Sequence, residues 1–213
     1  MKHLLVIVSL VSIVSFPVFG QDDTSFVMVP ELSVSGGISY PSVPQELRDY
    51  WKKGFNVGGG FGYSFREGSL GQSGIHGFIQ YNGLPFDQNG YLDGNKLNRN
   101  TYQASATSRK IITAMANYRG TFSQLSTAIA PYFLMGIGYF HLSSNAITVI
   151  SANDTSRVNH AAQSAFSWLL GIGMDIPARS KFSFFLEGRF VLGVTGEAGT
   201  QFYPLSSGIR FRP

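Results

Sequence analysis

The stretch Lys181 to Val194, KFSFFLEGRFVLGV, narrows what this chain can fold into more than any other. With period two, Phe182, Phe184, Leu186, Phe190, Leu192 and Val194 fall on one face, and Gly188 is the single gap. Ser183, Phe185, Glu187, Arg189, Val191 and Gly193 fall on the other. A strand points successive side chains to opposite faces, so one face is continuously apolar and the other is mixed and carries two charges. A soluble sandwich would place the phenylalanines in a core and the charges in water. A transmembrane barrel places the phenylalanines in lipid and the charges in its lumen.

The same alternation recurs along the chain. A first strand runs from Leu32 to Tyr40, followed by a helical turn over Pro44 to Lys53. A second runs from Gly54 to Arg66, its face of Asn56, Gly58, Gly60, Gly62 and Ser64 leaving room for large neighbours. Further strands cover Gly74–Asn82, Arg109–Gly120, a segment from Pro131 to His141, Ala161–Ile176, the opening stretch, and Gln201–Phe211. The Gly74–Asn82 strand has an ambiguous phase, since Phe78 sits in step with His76, Gln80 and Asn82. The connections 41–53, 83–108 and 142–160 are long, while 67–73, 121–127, 177–180 and 195–200 are short.

Residues 1–20 read as a secretory signal: Lys2, an apolar run from Leu4 to Val14, and the small-x-small pattern Val18-Phe19-Gly20 before Gln21. Pro17 and the shortness of the run argue against a membrane helix. No later segment approaches the ~20 consecutive apolar residues that a membrane helix needs, so a membrane-spanning form must be a barrel. Only 13% of residues are charged, whereas 14% are aromatic and 25 are glycine, a balance suited to twisted strands. There is no cysteine, and the four histidines (His3, His76, His141 and His160) lack ligand spacing, so no metal or other cofactor is expected. The motif DQNGYLDGN (Asp87–Asn95) departs from the EF-hand pattern, and Gly58–Gly62 lacks the lysine of a phosphate loop. A formal net charge of +4 is too mild for a nucleic-acid partner.

Alternating long and short connections suit a barrel with tight turns on the periplasmic side and loops outside. The expected fold is therefore all-β: an eight-stranded antiparallel up-and-down transmembrane β-barrel over residues 21–213, in the cell outer membrane. The segments GGISYPSVPQELRDYWKKGFNVGGGFGYSF (36–65), PYFLMGIGYF (131–140) and SSGIRF (206–211) resemble the small outer-membrane barrels of the OmpA/OmpX type, across essentially the whole mature chain. Those proteins commonly end on an aromatic residue, whereas Arg212 and Pro213 follow Phe211 here.

The resemblance implies a monomeric integral barrel with a structural or surface-interaction role and no catalysis. Its surroundings would be outer-membrane lipid and lipopolysaccharide, whose phosphates Arg48, Lys52, Lys53, Lys96, Arg99 and Arg157 could meet from the external connections. Strand phase puts Glu187, Arg189, Asp175, Arg210, Arg119 and Arg66 on lumen-facing positions, and a structural charge network is expected there, with Glu187 accepting from neighbouring arginines. Two alternatives stay open. His141-Leu142-Ser143-Ser144-Asn145 is similar to the His-x-Ser-Asn stretch of PagL-type lipid A deacylases, which would make His141 a base and Ser143 a nucleophile. The barrel could also pass small hydrophobic ligands, although eight strands enclose a space that side chains can fill.

Overall fold

In the computed structural model the described residues are 27–66, 72–122, 129–143, 145–152, 154–179, 181–196 and 199–213. The segment 1–20 expected to be a secretory signal and most of the turns 67–73 and 121–127 lie outside them.

Eight strands close into one antiparallel barrel. In chain order these are β1 (Val27–Val43), β2 (Gly54–Arg66), β3 (Gln72–Leu84), β5 (Arg109–Thr121), β6 (Ala130–Leu142), β9 (Gln163–Arg179), β10 (Phe182–Gly193) and β11 (Thr200–Phe211), and β11 pairs back with β1. Closure leaves no unpaired edge in the wall, the condition for strands to cross a bilayer. Between the wall strands, β4 (Tyr102–Ala106), β7 (Asn145–Ser151) and β8 (Thr155–His160) form a separate three-stranded sheet in the order β4-β7-β8.

The distribution of side chains is inverted relative to a soluble domain. Ile172 is 73% exposed and Val34 64% on the outer face, whereas Glu31 and Arg119 are each 1% exposed inside. β10 follows the alternation of its sequence, with Phe182, Phe184 and Leu186 outward and Ser183, Phe185, Glu187 and Arg189 inward. β3 resolves its ambiguity in favour of the polar residues: Gln80 and Asn82 face the lumen and Phe78 goes in with them. The glycine row of β2 makes this possible. A Cβ on Gly58 would lie 2.6 Å from the Phe78 ring, and one on Gly60 2.9 Å.

The long connections are folded, and the helical turn expected after the first strand is among their elements. After β1 comes a short helix, α1 (Gln45–Tyr50), which buries Leu47. A second, α2 (Gln88–Gly94), is capped by Asp87, whose carboxylate accepts from the Gly90 N–H at 3.2 Å, and buries Tyr91 and Leu92. Asp93 instead accepts from Arg99 Nε at 2.9 Å, so the DQNGYLDGN segment is a capped helix. Trp51 bridges to Phe86 in the next long connection. The β4-β7-β8 sheet contributes Ala104, Ile147 and Val149, and the barrel rim contributes Leu84, Ile111, Phe140 and Phe202, to one apolar cluster with Leu47, Trp51, Tyr91 and Leu92. These elements belong to the end opposite the start of β1, which pairs with the ends of β2 and β11. The seemingly polar connections conceal apolar residues spaced by a helical turn or by strand alternation, and tertiary closure over the mouth brings them together.

Candidate functional site

The lumen is filled by three polar groups, the first two of them joined through Tyr132. The first centres on Glu31. Arg119 donates to both of its carboxylate oxygens, at 2.7 and 2.8 Å, and Arg212 Nε donates at 2.8 Å. Ser64 Oγ donates at 3.0 Å, Arg210 Nε lies 2.7 Å away, and His76 Nε2 lies 3.0 Å away. Arg210 also pairs with Asp175, which accepts from Arg212 at 3.2 Å. Three guanidinium groups thus share two carboxylates, with Arg210 lying over the Phe185 and Tyr132 rings. Forked arginine–carboxylate contacts are the strong form of this interaction, and here water is excluded from them.

Tyr132 leads to the second group. Its hydroxyl donates to Glu187 at 2.9 Å, and Glu187 is paired with Arg189 two residues along the same strand. Arg189 also donates to Gln80 at 3.3 Å and lies 3.9 Å over the Phe78 ring. Gly173 accommodates Tyr132, since a Cβ there would be 2.5 Å from its hydroxyl. The third group is uncharged: Ser206 donates to Asn56 at 2.8 Å, Asn56 to Ser39 at 3.3 Å, and Ser39 to Asn82 at 2.6 Å. Asn82 then donates to the Ile111 carbonyl at 3.3 Å, where the apolar cluster begins.

Of the six residues predicted for the lumen, Glu187, Arg189, Asp175, Arg210 and Arg119 are all buried inside. Of Arg66 only the backbone is described. The grouping differs from the sequence expectation. Glu187 is served by Arg189 and Tyr132, while Arg119 and Arg210 converge on Glu31. Glu31 was missed because the first strand seemed to begin at Leu32. Its parity with Ser33, Ser35 and Ser39 was the available signal, and β1 begins four residues before it. Arg212, beyond the last aromatic, turns inward to join the same group.

The histidine and serine considered for catalysis are not partners. His141 Nδ1 is 2.9 Å from Ser164 Oγ on the neighbouring β9, which also accepts from the Tyr139 hydroxyl at 2.8 Å. Ser143 Oγ accepts from the Lys110 backbone N–H at 3.1 Å. At the mouth opposite the start of β1, Arg109 lies 5.0 Å over the Trp51 ring, and His160 meets that ring edge-on at 6.1 Å. Burial and the neighbouring Arg109 cation hold the His160 imidazole below its ordinary value. Among the described residues no cluster of His, Asp and Glu is arranged to hold a metal.

No protein-family model matches the chain, and neither does any curated protein. Several solved structures are similar in fold. Neisserial surface protein A has 11% identity and a TM-score of 0.48 over 89% of this chain and 99% of that one. The attachment invasion locus protein Ail of Yersinia pestis has 14% identity and a TM-score of 0.42 over 86% and 97%. The outer membrane enzyme PagL has 11% identity and a TM-score of 0.45 over 85% and 98%. From its own strand order, closure and inverted polarity, the chain is an eight-stranded antiparallel up-and-down transmembrane β-barrel.

Proposed function

We propose that this protein is a monomeric, closed barrel of the cell outer membrane that acts through its folded external cap, with lipid and lipopolysaccharide as its immediate surroundings. The observation that carries this reading is the continuous filling of the lumen, from the Glu31 ion group through the Asn56–Ser39–Asn82 network to the apolar plug around Trp51. Such a lumen gives no support to a passage for small hydrophobic ligands, and it makes the wall a rigid mount for whatever the cap does. The lumen charges are structural in this reading. Residues 1–20 serve as the export signal and are removed.

Three cap cations already hold carboxylates: Arg48 with Asp49, Lys52 with Asp87 and Arg99 with Asp93. Lys53, Lys96 and Arg157 join no ion pair among the described residues and are the cations left to meet anionic headgroups. Trypsin added to intact cells should therefore cut after Lys96, Arg99 or Arg157, which lie on exposed parts of the cap. Cutting confined to the opposite, short-turn end would show that the orientation is reversed.

No catalysis is expected at the outer surface, because His141 is engaged by Ser164 and Ser143 by the Lys110 backbone. Lipid A from cells with and without the protein should carry the same number of acyl chains by mass spectrometry. Loss of one chain, abolished by His141→Ala, would replace this reading with the deacylase one.

A further inference from the structure

A small cavity of about 150 Å³ lies at the outer mouth, lined by Glu46, Arg109, His160, Gln163, Thr195 and Thr200 among others. Arg109 is 7% exposed, yet among the described residues it makes no hydrogen bond or ion pair, and its Nε is buried without an acceptor. The Trp51 indole N–H beneath it, on a side chain 1% exposed, is also without an acceptor among those residues. The other arginines buried in the barrel behave differently: Arg119, Arg189 and Arg210 each hold a carboxylate. Glu46 lies on the exposed side of α1 at the cavity rim; its charge acts on Arg109 through space, but the two form no ion pair. Thr195 and Thr200 share one hydrogen bond at 2.6 Å, so one of the two hydroxyl protons is free for another acceptor.

The mouth is therefore rich in donors and short of acceptors. A guanidinium largely withdrawn from water without a direct ion-pair partner is costly, and its planar fork matches an oxyanion. A water occupies about 30 Å³ of liquid, so the cavity takes a few waters or one small oxyanion and is too small for a sugar ring. We infer that this cavity binds a single oxyanion group, phosphate, sulfate or carboxylate in kind, with Arg109 supplying the charge and Gln163 and the Thr195–Thr200 pair supplying further donors. The group can come from a soluble ion or from the phosphate of a neighbouring lipopolysaccharide. That it arrives from the cell surface rests on the orientation proposed above; the binding chemistry does not.

The test uses the full mature chain, refolded in uncharged detergent, with Trp168→Phe so that Trp51 alone reports. Sodium phosphate titrated at constant ionic strength should change Trp51 fluorescence saturably. Arg109→Gln should weaken that response at least tenfold, while Arg99→Gln on the outer cap should leave it unchanged. In a second arm, nanodiscs containing lipopolysaccharide should shift the phosphate titration only if the lipid supplies the group, and phosphatase-treated lipopolysaccharide should not. Competition in that arm assigns the lipid source and its absence the soluble one; either supports the site. Should Arg109→Gln fail to fold, the Arg109 Nε–H resonance of the ¹⁵N-arginine-labelled parent should still move on phosphate addition. No saturable response, a response that survives Arg109→Gln, or one that appears only after Glu46→Gln would overturn the inference. Because the first arm is blind to sidedness, its failure would leave the surface reading standing, and trypsin cleavage at the short-turn end would leave the oxyanion site standing.

Discussion

Glu31→Leu should lower the temperature at which the folded barrel converts to the unfolded, differently migrating form in SDS gels, and should do so by more than Glu187→Leu. Glu31 is 1% exposed and is the common acceptor for Arg119, Arg210 and Arg212. Removing it leaves Arg119 with only Ser64 among its hydrogen-bond partners here, and makes Arg210 and Arg212 depend on Asp175 alone. Removing one member of such a buried group typically costs about 3–5 kcal/mol, because the remaining charge is uncompensated. Loss of Glu187 strands a single arginine, which still has Gln80 and the Phe78 face. Glu31→Gln, which retains an acceptor oxygen, should fall between the parent and the leucine variant. Equal heat-shift temperatures for Glu31→Leu and Glu187→Leu would show that Glu31 is not the centre of the lumen network.

The second large effect is expected outside the membrane. Trp51 is 1% exposed and reaches two other connections, Phe86 at 5.9 Å and His160 at 6.1 Å between ring centroids, with Tyr50 of its own connection beside it at 6.2 Å. Truncating a buried tryptophan to alanine typically costs about 3–5 kcal/mol. The closed wall is held by its own ladder, so this loss should open the cap and spare the barrel. Trypsin should then cut Trp51→Ala after Lys96 and Arg99 far faster than the parent, with the heat shift of the barrel little changed. Trp168, 53% exposed on the outer face, is the control, and Trp168→Ala should not alter the cutting rate. A cutting rate in Trp51→Ala equal to that of the parent would mean that the plug does not hold the cap together.

The wall of this protein was legible in its sequence because strand phase is a local property. Phe184 and Leu186 on one side and Glu187 and Arg189 on the other follow from period two alone, and the structure keeps that phase in β10. The bounds of β2, Gly54–Arg66, were readable for the same reason. Parity also determined which charges face inward, although it could not say which of them meet. Pairing depends on strand tilt and on how far each side chain reaches across the lumen. That geometry joins Glu31 to Arg119, 88 positions away, and leaves Glu187 to Arg189, two positions away. The cap was least legible. Leu47, Trp51, Leu92 and Ile147 are scattered through polar segments, and only closure of the barrel brings their connections over one mouth. Arg109 is the first residue of a strand in the sequence, and only the assembled mouth makes it a buried cation that joins no ion pair among the described residues.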